Sequence, residues 1–552
     1  MKMYYKIIPV IYCVAFIPWC LHGGQSKTES QNPNVLFIAI DDLKATLGAY
    51  GDPVIQTPNM DRIGQSGTVF LNNHCQMAVC GPSRASFLTG KRPDFVKIWD
   101  LRTKIRDIRP EIITLPQYFK DNGYKTVGIG KVFDARSVDK GHDQRSWSVP
   151  YLEVDKKYYN KKQPPALGHY QDPETRKKAE KYLEEAKEKA EGSRNSYARK
   201  RIRPSNESVD VPDNGYFDGA MTEKAMEQLE SLAEESQPFF FAVGFKRPHL
   251  PFVAPLKYWE LYDRDSIPLE PYQRRAEGSP EIAYHDSHEL KMYTDIPPHS
   301  KYTDETRRTE LDFEKQKELV HAYYATVSYI DALVGKLMKT LDRTGLSENT
   351  IVVLQTDHGF HLGDHDLWGK DSNFENSTLS PLIISAPGME SGKTRAPTEF
   401  VDIFPTLSQL AGLPIPEDLD GESLVPLMEK TRDQIKPYAV SQFPHKDPSI
   451  EFHHENTFLG TDLRSRKGSM GYSIRTERYR LTYWMRQGFR SGQSFEPDQV
   501  LFKEFYDYQK DPLETKNWLK DPAYEKAISR METLMREYFR GQETDLRQDL
   551  HK

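Results

Sequence analysis

Three short stretches of the chain place side by side residue types that are costly to group unless they do chemistry. Cys80-Gly81-Pro82-Ser83-Arg84 fits the start of a helix, with Pro82 in the first turn and the Cys80 and Arg84 side chains on one face. A group at residue 80 would sit at the positive end of that helix. Exposed amides and the helix dipole favour negative charge there, so an oxidised derivative of Cys80 could meet a sulfate or phosphate oxyanion. Asp41-Asp42 follows the apolar run 34–40, and Asp357-His358-Gly359 follows the run 350–356. Both runs read as buried strands, and open α/β sheets place their ligands at the carboxyl ends of such strands. Paired acids at a strand end need a cation, so the two strand ends and Cys80 together point to a metal site. Lys131 ends a third strand, 126–130, and could contact an anion. His249 follows a fourth, 238–245, with Lys246 and Arg247 beside it. An imidazole so placed could bind an oxyanion and protonate a leaving alkoxide.

The elements that must hold these residues can be read around them. Residues 114–123 form a helix closed by Gly123, and 318–341 a helix whose Tyr323, Val327, Ile330, Leu333, Val334 and Leu337 make a core stripe. Residues 361–370 are a polar loop ending in Lys370, with His361 and His365 expected at the surface. Residues 381–384 are a last strand of the main sheet, and 402–407 open another helix. The Glu/Lys/Arg-rich stretch 171–203 reads as a solvated helical insertion. From residue 436, segments 472–476, 479–484 and 504–508 alternate like half-exposed antiparallel strands, and a helix covers 524–538. The fold class is therefore α/β. A catalytic domain spanning 34–435, with a large mixed central sheet flanked by helices, precedes a smaller α+β subdomain spanning 436–552.

With 552 residues, 37% of them hydrophobic, the chain can bury a large core and is too long for one simple one. Its 28% charged residues and mean hydropathy of -0.71 require an extensive solvated surface. A net charge of -6 argues against a nucleic-acid partner, which would need a basic footprint. Lys2 and Lys6 ahead of the apolar run 7–21 and then Gly23-Gly24 have the layout of a signal peptide, 1–24, followed by a linker, 25–33. Export to the periplasm or medium is expected, with no transmembrane segment in the mature chain. Lipoprotein anchoring through Cys20 is disfavoured by Trp19, where a small residue is preferred. Of Cys13, Cys20, Cys75 and Cys80, the last two survive cleavage. Cys75 reads as a small packed residue, not as a disulfide partner that would consume Cys80.

The pattern Cys80-x-Pro82-Ser83-Arg84 followed by Leu88-Thr89-Gly90 resembles the signature of the type I sulfatases, whose cysteine is converted to formylglycine by a generating or maturing enzyme. The resemblance runs from about residue 32 to about residue 538 and implies an alkaline-phosphatase/sulfatase-like fold. It implies a metal held by Asp41, Asp42, Asp357, His358 and the oxygen of modified Cys80, and a catalytic set of Cys80, Arg84, Lys131, His249 and Lys370. Ca²⁺ suits so carboxylate-rich a set; the imidazole of His358 keeps Mg²⁺ as the alternative. In the implied mechanism one hydroxyl of hydrated formylglycine attacks sulfur and the other collapses to the aldehyde and ejects sulfate. His249 protonates the leaving alkoxide. Arg92-Pro93-Asp94, Asp100-Leu101-Arg102-Thr103, Gly130-Lys131-Val132-Phe133 and the stretch 246–252 look most like the iduronate-2-sulfatase branch. The implied substrate is a sulfated sugar or polysaccharide-derived oligosaccharide, with a 2-O-sulfated uronic acid among the candidates.

One position departs from the family. Gly-Lys-x-x-His is replaced here by Gly130-Lys131-Val132-Phe133-Asp134, so Asp134 acts in place of the histidine, or His142 reaches in, or the proton transfer is handled differently. The other readings are a phosphatase or phosphodiesterase of the alkaline-phosphatase superfamily and a catalytically silent glycan-binding relative. Lys97, Arg102, Lys104, Arg106 and Arg109 form a basic cluster after the nucleophile helix. Arg102 or Arg106 is expected to bind an anionic group of the sugar apart from the scissile sulfate.

Overall fold

Continuous runs of apolar residues become the strands of a seven-stranded sheet: β1 (Asn34–Asp41), β2 (Thr68–Phe70), β3 (Lys125–Gly130), β4 (Phe239–Pro248), β5 (Thr350–Thr356), β6 (Leu382–Ser385) and β7 (Gly392–Thr394). The computed structural model describes residues 1–3, 32–189, 192–297, 311–445, 468–486 and 497–549. The signal-peptide reading, Cys20 and nearly all of the linker lie outside them. Among the described residues no helix is long and apolar enough to cross a membrane.

Strand order is β7-β2-β6-β5-β1-β4-β3. β1 lies parallel to both β4 and β5, β3 is parallel to β4, and β6 runs antiparallel to β5 and β2. The sheet is thus mixed, with a parallel centre. Its central strands are apolar at every position because both faces are covered. On β1, Leu36, Ile38 and Ile40 pack into one core, while Val35, Phe37 and Ala39 pack into the other.

Helix α1 (Cys80–Thr89) lies on the second face, with all ten residues buried. It ends at Gly90, whose φ of 65° is costly for any other residue and lets its amide close on the Ser86 carbonyl. The charged insertion is two helices, α2 (Pro173–Glu185) and α3 (Arg194–Arg199), where the sequence suggests one solvated helix. Ala179 and Ala198 are fully buried in the main core, so the insertion is docked as well as solvated. Opposite α1 lie α4 (Phe217–Ala233) and α5 (Phe313–Arg343), and the stripe expected on α5 is buried along its length.

A second sheet is antiparallel and contains β8 (Ala439–His445), β9 (Ser469–Arg475), β10 (Tyr479–Arg486) and β11 (Val500–Asp507). Its strands were expected to be half exposed, yet β9 is buried throughout and β10 along most of its length. The reason is that both faces are occupied. Helix α6 (Glu525–Asp549) brings Met531, Met535 and Phe539 onto one, and Trp484 and Tyr506 meet Phe374 of the catalytic body on the other.

Arg480 on β10 ties the two sheets together. Its guanidinium is almost wholly buried, pairs with Glu514 at 2.7 Å and with Glu375, and donates to the Asn373 carbonyl. Asn373 returns a bond to the Gly471 carbonyl at 3.1 Å. Removing one member of such a network leaves uncompensated buried charge, worth about 3–5 kcal/mol. Arg480→Met is therefore expected to lower the calorimetric melting temperature markedly. An unchanged melting temperature would show that the two sheets are held by apolar packing alone.

Candidate active site

The carboxyl ends of β1, β4 and β5 and the first turn of α1 converge on one buried volume. Successive residues of a strand face opposite ways, so two adjacent aspartates can share a site only if the strand is interrupted. The interruption is visible: register with β4 shifts between Ile40 and Asp41, and Asp42 adopts a left-handed φ of 61°. The Asp42 amide donates to Asp357 Oδ1 at 3.1 Å, which joins the ends of β1 and β5.

Arg84 is the electrostatic hub. Fully buried, it reaches Asp41 Oδ1 at 2.9 Å and Asp357 Oδ2 at 3.0 Å, and donates to the carbonyls of Lys131 and Val132. Lys131 is carried there by the Gly130–Gly244 pairing of β3 and β4. A side chain on Gly244 would meet the Lys131 backbone at 2.1 Å, so only glycine permits the approach. Lys131 Nζ lies 2.5 Å from Asp41 Oδ2. Burial raises the Asp41 carboxyl, but Lys131 and Arg84 outweigh it and hold that carboxyl well below the usual range. Lys370 pairs with Asp42, with Nζ 3.0 and 2.8 Å from its two oxygens.

Cys80 Sγ sits 3.5 Å from His358 Nε2 and 3.9 Å from Asp42 Oδ1. Burial, and then the charge of Asp41, push its thiol pKa well above the ordinary value. A thiol so disfavoured from ionising is a poor nucleophile as encoded. Cys75 and Cys80 are both free and buried, and burial pushes Cys75 up to about 12, as suits a packed structural thiol.

His249 is joined to the site by a residue without any motif to mark it. Glu289 receives His249 Nε2 at 3.1 Å and Lys370 Nζ at 3.0 Å. It lies in an irregular stretch between β4 and α5, and its only sequence signal is an acid in a histidine-rich loop. His249 Nδ1 donates to the Leu250 carbonyl at 2.7 Å, which directs Nε2 toward Glu289. Burial disfavours charge on His249, but Asp42 and Glu289 outweigh burial and Lys370, so its pKa is raised.

Several expectations are revised. Arg106 cannot serve as a substrate anchor: its guanidinium is committed to Asp143, to Gln117 at 2.7 Å and to the Ile112 carbonyl at 2.9 Å. Arg102 is exposed in the turn after Leu101, which itself packs against Gly81. Asp134 is forked to Arg136, with Oδ2 2.7 Å from a guanidinium nitrogen, and that pairing with nearby Lys131 overcomes burial to hold its carboxyl low. His142 stacks on Tyr151 with ring centroids 4.2 Å apart. His361 and His365 are buried, not superficial, on either side of Asp364, and the loop carrying them pairs residues 361–362 with 368–369 in a small antiparallel ladder.

The oxygens of Asp42 and Asp357 and His358 Nε2 form one group with Cys80 in which the candidate ligand atoms all lie within 4.8 Å of one another. Asp41, Asp42, Cys80 and His249 form an overlapping one. His358 Nδ1 faces the Gly359 carbonyl at 2.9 Å and must donate to it, which leaves the Nε2 lone pair pointing at the carboxylates. A hard-oxygen set with one oriented imidazole fits a divalent cation.

A protein-family model described as Sulfatase matches residues 33–413, and one described as N-sulphoglucosamine sulphohydrolase, C-terminal, matches residues 363–540. Iduronate 2-sulfatase of Homo sapiens is 31% identical in an alignment covering 90% of this chain and 93% of that protein. A sulfatase of Formosa agariphila is 30% identical over 77% of this chain and 78% of its own. Among solved structures, BT4656 in complex with D-glucosamine-2-N,6-O-disulfate has a TM-score of 0.66 at 22% identity, covering 93% of this chain and 99% of that one. The phosphonate monoester hydrolase SpPMH from Silicibacter pomeroyi has a TM-score of 0.64 at 22% identity, covering 92% and 95%. The fold is thus alkaline-phosphatase/sulfatase-like.

Glu289 supplies part of the field that keeps His249 protonated, so Glu289→Gln is expected to lower the His249 pKa. The imidazolium is then lost at lower pH than in the parent. NMR titration of histidine-labelled protein measures this directly, and an unmoved His249 titration would remove Glu289 from that role.

Proposed function

The chain belongs to the sulfatase family, and on that premise we propose that it removes sulfate from a sulfated sugar or oligosaccharide, with residue 80 acting as formylglycine. The observation that carries the reading is the meeting of Cys80, at the start of α1, with the ends of β1 and β5 between Lys131 and Lys370. The raised thiol pKa supports it too, since a cysteine unlikely to ionise needs conversion before it can attack an ester. Names among the relatives include iduronate 2-sulfatase and an N-acetylglucosamine-6-O-sulfatase, which support a sugar sulfate, beside a choline-sulfatase. A 2-O-sulfated uronic acid is the finer reading.

Asp41, Asp42, Asp357 and His358, with residue 80, would hold a divalent cation, Ca²⁺ by the oxygen-rich donor set and Mg²⁺ as the alternative. When bound, the cation supplies Lewis-acid neutralisation of the sulfate charge. The rest falls to side chains. Arg84 fixes one oxygen of Asp41 and one of Asp357. Lys131 and Lys370 lie beside residue 80, where the oxyanion of an attacked sulfate would form. His249, charged through Asp42 and Glu289, holds its proton on Nε2 and gives it to the departing sugar alkoxide. Arg102, exposed beyond Leu101, would meet an anionic group outside the scissile sulfate.

Protein produced with a formylglycine-generating enzyme is expected to carry an aldehyde on the Cys80 peptide by mass spectrometry and to hydrolyse an aryl sulfate. Cys80→Ala should lose that turnover by about three orders of magnitude or more, as removal of a covalent nucleophile does. Turnover that persists without the aldehyde, or aldehyde-bearing protein that cleaves aryl phosphates in preference to aryl sulfates, would overturn the proposal.

A further inference from the structure

Beside His249, on the side of the insertion, four cations gather whose side chains form no ion pair with an acid among the described residues, with Asp218 the acid that neighbours Lys246 and Arg247. Lys246 and Arg247 end β4, while Arg199 ends α3 and Arg203 follows it. Arg247 is only 5% exposed; it donates to the His249 carbonyl at 2.7 Å and to His169 Nδ1 at 2.9 Å. Its Nε is buried with no hydrogen-bond partner, and so is Arg199 Nε. Arg199 is held by the Leu167 carbonyl at 3.0 Å. Arg203 lies over the Tyr293 ring at 4.2 Å and donates to its hydroxyl at 3.3 Å. Lys246 Nζ rests 3.4 Å from the centre of the Phe217 ring. Among the described residues none of these four side chains forms an ion pair with an acid; the nearby carboxylate of Asp218 takes the Lys246 backbone amide at 2.7 Å.

The chemistry of the group is one-sided. A guanidinium only donates, so His169 Nδ1 must accept from Arg247, and the ring is neutral with its proton on Nε2. Burial first, then Arg247, Arg199, Lys246 and Arg203, hold the His169 pKa well below its ordinary value. Burial lowers Lys246 to about 8 against the opposing pull of Asp218, with Arg247 and Lys131 adding to the lowering. Apart from the buried carboxylate of Asp218, the positions offered here are donors or cations. Buried donors without partners are rare in folded proteins and call for an explanation, and an absent oxyanion supplies one.

We infer that His169, Arg199, Arg203, Lys246 and Arg247 form a second anion subsite, which takes a carboxylate or a further sulfate of the sugar substrate in addition to the ester being cleaved. This rests on the sulfatase reading. It goes beyond it in assigning to the docked insertion the choice of polyanionic saccharides over simple sulfate esters. Tyr293 connects the two sites, since it supports Arg203 and follows Glu289, which holds His249 and Lys370, by one helical turn.

The test uses Arg199→Ala combined with Arg203→Ala, because Arg247 is so buried that its removal risks the fold. In aldehyde-bearing protein, kcat/KM is compared for a uronate-containing disaccharide with one sulfate, the same disaccharide with a second sulfate or with its carboxylate methylated, and a small aryl sulfate. The double variant is expected to reduce the preference for the polyanion over the aryl sulfate at least ten-fold, chiefly through KM. Lysine at both positions should restore part of it. Calorimetric binding of the same disaccharides to Cys80→Ala protein repeats the comparison without turnover. The methylated and singly sulfated probes show which oxyanion the subsite takes. A preference unchanged in the double variant, or an alanine and a lysine variant equally impaired, overturns the subsite. Aldehyde-bearing wild-type protein that releases sulfate from neither the disaccharides nor the aryl sulfate overturns the sulfatase reading instead.

Discussion

Buried carboxylates gathered at the ends of two parallel strands are tolerable only if opposite charge is brought to them, and much of this structure exists to bring it. Asp41, Asp42, Asp357 and Glu289 face Arg84, Lys131 and Lys370 within hydrogen-bonding distance. Each cation comes from a different element. Arg84 is delivered by α1, Lys131 by β3 and Lys370 by the loop after β5. The charged His249 joins these three permanent cations against the four acids, and the oriented Nε2 of His358 offers a neutral donor to a divalent cation beside Asp42 and Asp357. A Coulomb interaction at such separations is strong in a low-dielectric interior, so an error in any one element would be felt by all of them.

The outer parts of the molecule follow from that demand. Arg480 and Asn373 couple the second sheet to the segment just beyond Lys370, so this sheet braces one of the cations at residue 80. The Gly130–Gly244 pairing lets Lys131 close over β4. On the far side, the insertion places its arginines beside the strand that ends in His249. The cationic character of the site thus extends outward in a chain that is acidic overall.

The parts of the site that lie at strand ends could be read directly from residue order. Apolar runs closing on Asp41-Asp42, Lys131, His249 and Asp357-His358 bring those residues to one edge of the sheet, although the break that lets Asp41 and Asp42 share a site shows only in the folded strand, and Pro82 and Gly90 bracket α1. What could not be read depends on contacts between distant segments. Glu289 is defined only by its meeting with His249 and Lys370. Arg106 looks like a free cation until Asp143 folds against it. His361 and His365 sit among polar residues, yet Phe374 packs against both and Tyr272 and the Glu514 carbonyl close on His365; His365 stacks on Phe374 with centroids 4.3 Å apart. The half-exposed appearance of β9 and β10 fails for the same reason. Alternation describes one sheet with one covered face, and here both are covered.

The central claim is that the charges around residue 80 are arranged to hold one divalent cation. Anomalous diffraction from crystals of aldehyde-bearing protein grown with Ca²⁺ or Mn²⁺ tests it most directly. A single strong peak between the carboxylates of Asp42 and Asp357 and His358 Nε2, beside residue 80, is the predicted result. A crystal with no peak there, or with the ion seated instead on the buried group of His361, Asp364 and His365, would contradict it.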